Sequence, residues 1–151
     1  MSVPKSKQKP SGFAVVDTAL NIYGNILDIC LRMPNRYTYL ILLPILNLAS
    51  DTADYVKEGN SVIPNAKSPD PDDVKLRRLY FQKARATLQA LISKMNFFLL
   101  KPDIVRKKMK GGKTVGITEN ELDGLSEEMR KELTLIGGVL EKDEKRYNIK
   151  L

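Results

Sequence analysis

The sequence predicts an all-α protein, an antiparallel four-helix bundle that forms oligomers, on three observations. Four long segments repeat apolar residues every three or four positions, and no segment alternates apolar and polar residues as a strand does. The second of these segments is apolar on nearly all sides, which indicates burial against more than one neighbour. The 151 residues suffice for one domain, which we expect over 13–151 after a flexible basic tail, residues 1–12.

The first two helices are predicted before the middle of the chain. The first runs from Phe13 to Met33, and Pro34 ends it because proline disfavours the α conformation in the residue before it. The second continues to about Gly59. Pro44 lies inside it and removes one backbone hydrogen bond, so we expect a kink there rather than two separate helices.

The third helix is predicted between acidic and proline-containing boundaries. Asp72 and Asp73 open it, where carboxylates favour the positive end of the helix dipole, and Lys101 and Pro102 close it. Its predicted core stripe consists of Leu76, Leu79 or Tyr80, Phe81, Ala84, Leu88, Leu91, Ile92, Met95 and Phe98.

The fourth helix follows a basic, glycine-containing segment. Residues 103–117 have the composition of a flexible basic linker, and residues 118–121 form a capping box that Ile117 and Leu122 are placed to staple. Gly124 is placed to break the first turn of this helix. Its predicted core residues are Leu122, Leu125, Met129, Leu133, Ile136, Val139 and Leu140.

The composition argues against catalysis. The chain has no histidine and one cysteine, Cys30, which removes Ser–His and Cys–His nucleophile pairs and the usual zinc ligand sets. Cys30 lies in an apolar run and is predicted to be a core residue. Asp51, Asp54 and Glu58 share a helical face, for which salt bridges to the basic third helix are a better explanation than a metal site. We therefore expect no catalytic residues, no metal and no cofactor.

The apolar segments predict a cytoplasmic protein without a membrane partner. Residues 1–10 are basic but lack the apolar stretch and cleavage site of a signal peptide. The longest apolar run, Tyr37 to Leu48, is shorter than the roughly 20 residues that a membrane span needs. The single thiol fits a reducing compartment.

Positive charge is concentrated in one part of the chain. The net charge is +7, yet residues 71–115 hold 12 basic and 3 acidic groups while residues 116–151 hold 6 and 9. Basic side chains concentrated in this way can contact a phosphate backbone. An ordinary solvent-facing helix surface explains the polarity of these residues about equally well. On the predicted third helix, long cationic and amide side chains recur at steps of three and four residues: Lys75, Arg78, Gln82, Arg85 and Gln89. Arg32 and Arg36 flank the first turn and could extend this surface, as could basic arms around Lys5 and Arg106–Lys113.

Three stretches resemble a known superfamily. Cys30–Tyr37, Asn60–Pro64 and Arg77–Ile92 are similar to the four-helix-bundle superfamily of accessory variability determinant proteins of diversity-generating retroelements and of proteins encoded in ribosomal-RNA intervening sequences. The resemblance covers about residues 5–100. It implies a cytoplasmic bacterial or phage protein, a ring-like homo-oligomer (a pentamer) that binds a reverse transcriptase and its RNA or DNA during mutagenic copying.

The resemblance also selects residues for the expected interface. The acidic last helix and the basic linker depart from the family pattern. An alternative is a structural scaffold or self-assembly protein, like those of the intervening sequences, without a reverse-transcriptase role; a membrane-surface protein is a more distant alternative. The predicted nucleic-acid-binding residues are Arg32, Arg36, Lys75, Arg77, Arg78, Lys83, Arg85, Arg106, Lys107, Lys108 and Lys110.

Overall fold

Four long helices pack around one core in a computed structural model that describes residues 12–33, 38–100, 106–108, 114–116 and 118–147. The helices are α1 (Gly12–Arg32), α2 (Leu43–Ser61), α3 (Pro71–Leu100) and α4 (Glu119–Tyr147), and two short strands are β1 (Arg106–Lys108) and β2 (Thr114–Gly116). Helix α1 packs against α2 and α4, and α3 packs against the same two helices. The predicted all-α helical bundle is therefore confirmed.

The inner stripe of α3 differs from the prediction at its beginning. Leu76 and Leu79 are 40% and 45% exposed, whereas Val74, which was not predicted, is buried. The buried stripe runs from Val74 through Arg77 to Phe81 in steps of three and four, so an inward-facing arginine replaces the expected leucines. Farther along, Phe81, Ala84, Leu88, Leu91 and Met95 are buried as predicted.

The irregularity expected at Pro44 lies immediately before it. A π-helical turn, Thr38–Leu42, precedes α2, and Pro44 lies in the first turn of α2. Proline is common in the first turn of an α-helix, because its fixed φ is already helical. Helix α2 continues to Ser61, two residues beyond the predicted end.

Two short strands lie inside the segment predicted to be a flexible linker. Strands β1 and β2 pair antiparallel with Lys107 opposite Val115, and β2 contacts α1. The sequence predicts a flexible linker over residues 103–117 and has no alternating strand pattern there, so this short strand pair was not predicted. The hairpin signal in this segment is the glycine pair Gly111 and Gly112, which lies between the two strands in the sequence. The basic composition of the segment concealed it.

The starts of α3 and α4 are capped by side chains. The carboxylate of Asp70 accepts a hydrogen bond from the N–H of Asp72 at 3.0 Å, and Pro71 is the first residue of α3. At α4, the N–H of Glu121 donates to Oγ1 of Thr118 at 3.2 Å, which confirms the capping box. Helix α4 runs unbroken through Gly124, so the predicted break there was wrong.

Among the described residues, one helix has the length and composition of a membrane span. The segment Phe13–Arg32 of α1 has a mean hydropathy of 1.3 over its most apolar window. Within the bundle, its residues Val15, Ile22 and Ile26 are buried against the neighbouring helices. The same composition is found in helices that pack in a protein core, and 33% of this window is buried in the bundle.

Candidate nucleic-acid interface

The exposed cations of α3 form the candidate interface. Lys75, Lys83 and Arg85 are exposed, and none of them forms an ion pair with a residue that the structure describes. Arg78 is half-buried, and its Nε has no hydrogen-bond partner among the described residues. Lys94, which the prediction omitted, is also exposed on this helix. Helix α3 therefore presents unneutralised positive charge along most of its length.

An aromatic side chain of α2 accompanies this charge. The ammonium of Lys83 lies 5.6 Å from the ring centroid of Tyr55, a cation–π geometry. Neighbouring Thr52 and Thr87 join α2 to α3 with 2.8 Å between their hydroxyl oxygens. The cations of α3 are thus carried on a helix that is firmly packed against α2.

Arg77 does not belong to the interface. Its Nε lies 2.6 Å from Oδ2 of Asp143, and its Nη1 donates to the carbonyl oxygens of Gly59 and Val62. The guanidinium also lies 5.1 Å from the ring centroid of Phe81. With a side chain only 13% exposed, Arg77 joins three helices instead of facing solvent. Its assignment to nucleic-acid binding is therefore corrected to a structural role.

Arg32 is exposed but paired. Its Nη1 donates to Oε1 of Glu121 at 3.0 Å, and its Nη2 bonds the other carboxylate oxygen. The hydrogen bond from Arg32 lowers the pKa of Glu121, and the side chain and backbone of Thr118 contribute to the same effect. Because this pair neutralises much of the charge of Arg32, it offers less attraction to phosphate than the unpaired cations of α3.

The remaining predicted residues lie in or near the hairpin and the first turn. Arg106, Lys107 and Lys108 form β1, so their backbone is placed, while their side chains are outside the description. Arg36 and Lys110 lie outside the described residues. Among the predicted residues whose side chains the structure describes, the exposed cations without an ion-pair partner therefore lie on α3.

Helix α4 carries the opposite charge. Its 29 residues include nine carboxylates and five cations, and Asp123, Glu127 and Glu141 are exposed. The two helices are packed side by side, so charges of opposite sign lie on adjacent faces of one bundle. A polyanion is attracted to the α3 face and repelled from α4.

Cavities lie between helices in the described part of the chain. A cavity of about 680 Å³ between α1 and α4 is lined by charged residues that include Asp28, Arg32 and Glu128. A second groove of about 410 Å³, between the start of α2 and the end of α3, is mainly apolar and is lined by Leu40, Pro44 and others. Leu40 is 83% exposed.

A carboxyl group that the sequence analysis missed lies in the core. Glu132 has no accessible surface, and neither of its carboxylate oxygens has a hydrogen-bond partner in the described part of the chain. Burial raises its pKa to about 8. Glu132 follows Met129 by three residues and precedes Ile136 by four, so the spacing of the apolar stripe could have revealed it.

The other polar candidates behave as ordinary residues. Asp51, Asp54 and Glu58 are exposed and form no ion pair with the described residues of α3, so the predicted salt bridges are absent there. No group of three or more potential metal ligands occurs among the described residues. Cys30 is half-buried beside the core, and burial raises the pKa of its thiol.

No family model matches this chain, and no curated protein or solved structure is similar enough to identify a relative.

Proposed function

We propose that this chain is a non-enzymatic, cytoplasmic accessory protein of a diversity-generating retroelement that binds nucleic acid through α3 and acts with the reverse transcriptase. The observation that carries the proposal is that the α3 cations Lys75, Lys83 and Arg85 are exposed and have no ion-pair partners in the described residues. Unpaired cations release counterions from a phosphate backbone when it binds, and this release drives association. Template RNA and its cDNA both provide that backbone.

The proposed role beside a reverse transcriptase comes from the resemblance of residues 30–37, 60–64 and 77–92 to the accessory proteins of these elements. A bundle with one strongly cationic helix is suited to such an adaptor, because the opposite sign on α4 leaves a chemically different surface for a protein partner. A reverse-transcriptase gene next to a template repeat and a variable repeat would support this assignment.

The proposal includes an antiparallel bundle in a ring-like homo-oligomer, a pentamer by resemblance. The Arg32–Glu121 pair supports the antiparallel arrangement because it joins the end of α1 to the start of α4. The Arg77–Asp143 pair likewise joins the start of α3 to the end of α4. Exposed apolar side chains at the ends of the bundle, including Leu31 and Leu40, support self-association.

Those apolar side chains also favour a second function, a structural self-assembly protein without a nucleic-acid role. Leu40 borders the 410 Å³ groove, and its exposure suits a subunit contact. Light scattering of a Leu40→Asp variant tests this surface, with Ile63→Asp as the control because Ile63 is 80% exposed at the other end of the bundle. We expect only Leu40→Asp to reduce the oligomer mass.

The nucleic-acid role is tested by reversing charge on α3. A Lys75→Glu, Lys83→Glu and Arg85→Glu triple variant should lose binding to a short labelled single-stranded RNA, measured by fluorescence anisotropy at low salt. The matched control reverses Arg130, Lys142 and Arg146, which are exposed on α4, and therefore changes net charge by the same amount. Circular dichroism establishes that both variants keep their helices.

The two functions differ in the outcome. If only the α3 variant loses RNA binding, the cationic face is the site. If both variants bind like the wild type, or if the wild type binds no RNA at low salt, the nucleic-acid proposal fails and the self-assembly function remains.

A further inference from the structure

Glu132 lies at the centre of the bundle, far from both ion pairs that hold α4. It is eleven residues after Glu121, which pairs with Arg32, and eleven before Asp143, which pairs with Arg77. At the rise of an α-helix, each separation is roughly 16 Å. The carboxyl group therefore lies midway between the two attachments, where no ion pair compensates for its burial.

The surroundings of Glu132 are apolar on both helices that pack against α4. Counting eleven residues forward from Arg77 places the level of Glu132 beside Leu88 of α3, and counting eleven back from Arg32 places it at Asn21 of α1, next to Ile22; Leu88 and Ile22 are buried, whereas Asn21 is exposed. The nearest charged groups in that register are Asp17 and Asp28 on α1 and Lys83 and Arg85 on α3, all exposed.

None of these facing groups affects the pKa of Glu132, which burial raises, while Lys131 and Glu128 of the same helix act on it in opposite directions. Neither carboxylate oxygen has a hydrogen-bond partner in the described residues, so nothing replaces the water that an ionised carboxylate would hold. Ionisation in this position is therefore costly, and the protonated form is the one that the packed core accommodates.

Helix α4 is also less completely packed than its neighbours. The 680 Å³ cavity lies between α4 and α1. Glu128 lines that cavity, and its Oε2 is buried without a hydrogen-bond partner among the described residues. By contrast, α2 and α3 meet closely, because a Cβ on Gly59 would lie 2.9 Å from the ring of Phe81. The bundle is thus easiest to open along α4.

We propose that a proton on Glu132 controls the docking of α4 on α1 and α3: the helix is docked while the carboxyl group is protonated and is released more readily when it ionises. The ordinary pKa of 4.5 applies in the released state and a value of about 8 in the docked state. Between these values the docked state holds one more proton, so docking weakens as the pH rises. The opening constant increases about tenfold per pH unit and levels off above about pH 8.

Native-state hydrogen exchange tests the proposal at individual amides. Opening constants of α4 amides, corrected for intrinsic exchange, are measured from pH 5 to pH 8 in the wild type and in Glu132→Gln, which mimics the protonated acid. Relative to that variant, the wild type should open about 100-fold more readily at pH 7 than at pH 5. Glu127→Gln is the matched control, because Glu127 is exposed on the same helix and should leave the wild-type pH dependence unchanged.

Two results would overturn the proposal. One is the same pH dependence in the wild type and in Glu132→Gln. The other is an equal opening constant for amides of α4, α2 and α3, which would mean that α4 has no separate opening. A titration of the Glu132 carboxyl carbon by NMR in the unmodified chain is independent of any variant: a midpoint near 8 is expected, and a midpoint near 4.5 contradicts the inference.

Discussion

Arg77 and Asp143 join the start of α3 to the end of α4, with 2.6 Å between Nε of the arginine and Oδ2 of the aspartate. The same guanidinium donates to the carbonyl oxygens of Gly59 and Val62, at and just after the last turn of α2. Three helices therefore converge on a single cation. Arg77 is therefore a structural cation, in contrast to the exposed cations of α3, which are free to bind a ligand.

Removing the contact between Arg77 and Asp143 should destabilise the fold. This substitution tests stability and not the binding surface. Arg77→Ala leaves Asp143 with about 12% exposure and no partner for its charge, and breaking a largely buried pair in this way costs about 3 kcal/mol. Urea unfolding measures the loss. Arg85→Ala is the control, because an exposed arginine without an ion-pair partner should change the free energy of unfolding by less than about 0.5 kcal/mol. Equal losses of unfolding free energy in Arg77→Ala and Arg85→Ala would contradict a structural role for the Arg77–Asp143 contact.

The close approach of α2 and α3 predicts opposite effects for two glycine substitutions. Gly59→Ala places a Cβ 2.9 Å from the ring of Phe81, and such overpacking costs about 1–3 kcal/mol. Gly24→Ala meets nothing within 4 Å, so the lower entropy of the unfolded chain should stabilise the protein by about 0.5–1 kcal/mol. Thermal unfolding followed by circular dichroism compares them, and a neutral Gly59→Ala would show that the helices are farther apart.

The capping box of α4 predicts a moderate loss on removal of one hydroxyl. Thr118→Ala removes the acceptor of the Glu121 N–H and should cost about 1 kcal/mol in urea unfolding. Thr134 provides the comparison, because its hydroxyl is exposed inside α4 and donates to the carbonyl of Arg130 at 3.1 Å. Thr134→Ala should be close to neutral, since such a hydrogen bond within a helix adds little stability. A larger loss of stability for Thr134→Ala than for Thr118→Ala would argue that α4 does not begin at this cap.

The buried carboxyl group predicts a pH-dependent stability difference. The pKa of Glu132 is raised in the folded chain, so the folded state holds the extra proton and stability falls as the pH rises from about 4.5 to about 8. Relative to Glu132→Gln, the wild type should lose about 1.4 kcal/mol of unfolding free energy per pH unit in this window. Urea midpoints at several pH values measure the difference, and a constant difference would place an ionised carboxylate in the folded core.

The sequence predicted what local spacing and local chemistry determine. The Thr118 cap was predicted because its partner is three residues away, and the buried residues Leu125, Met129 and Ile136 followed from helical spacing. The role of Arg77 could not be predicted in this way, because its partner Asp143 is 66 residues distant. A charged residue on a mixed surface resembles every other solvated cation until the fold supplies its partner.

Two further features were concealed by composition. Glu132 occupies a core position of α4, although glutamate ordinarily faces solvent, and in the sequence only its spacing between Met129 and Ile136 indicates burial. The hairpin formed by Arg106–Lys108 and Thr114–Gly116 lies in a basic segment without apolar alternation. Pairing of so few residues has almost no periodic signal, although a glycine pair between two segments is a turn signal in the sequence.

The most direct test of the proposed function is the salt dependence of RNA binding by the wild type and the two charge-reversed variants. For single strands, each phosphate contact contributes about −0.7 to the slope of log Kobs against log salt concentration. Reversing Lys75, Lys83 and Arg85 should therefore lower affinity strongly and make the slope shallower by about 2. Reversing Arg130, Lys142 and Arg146 should leave the slope unchanged. An α3 variant with the affinity and slope of the wild type would contradict nucleic-acid binding by this face.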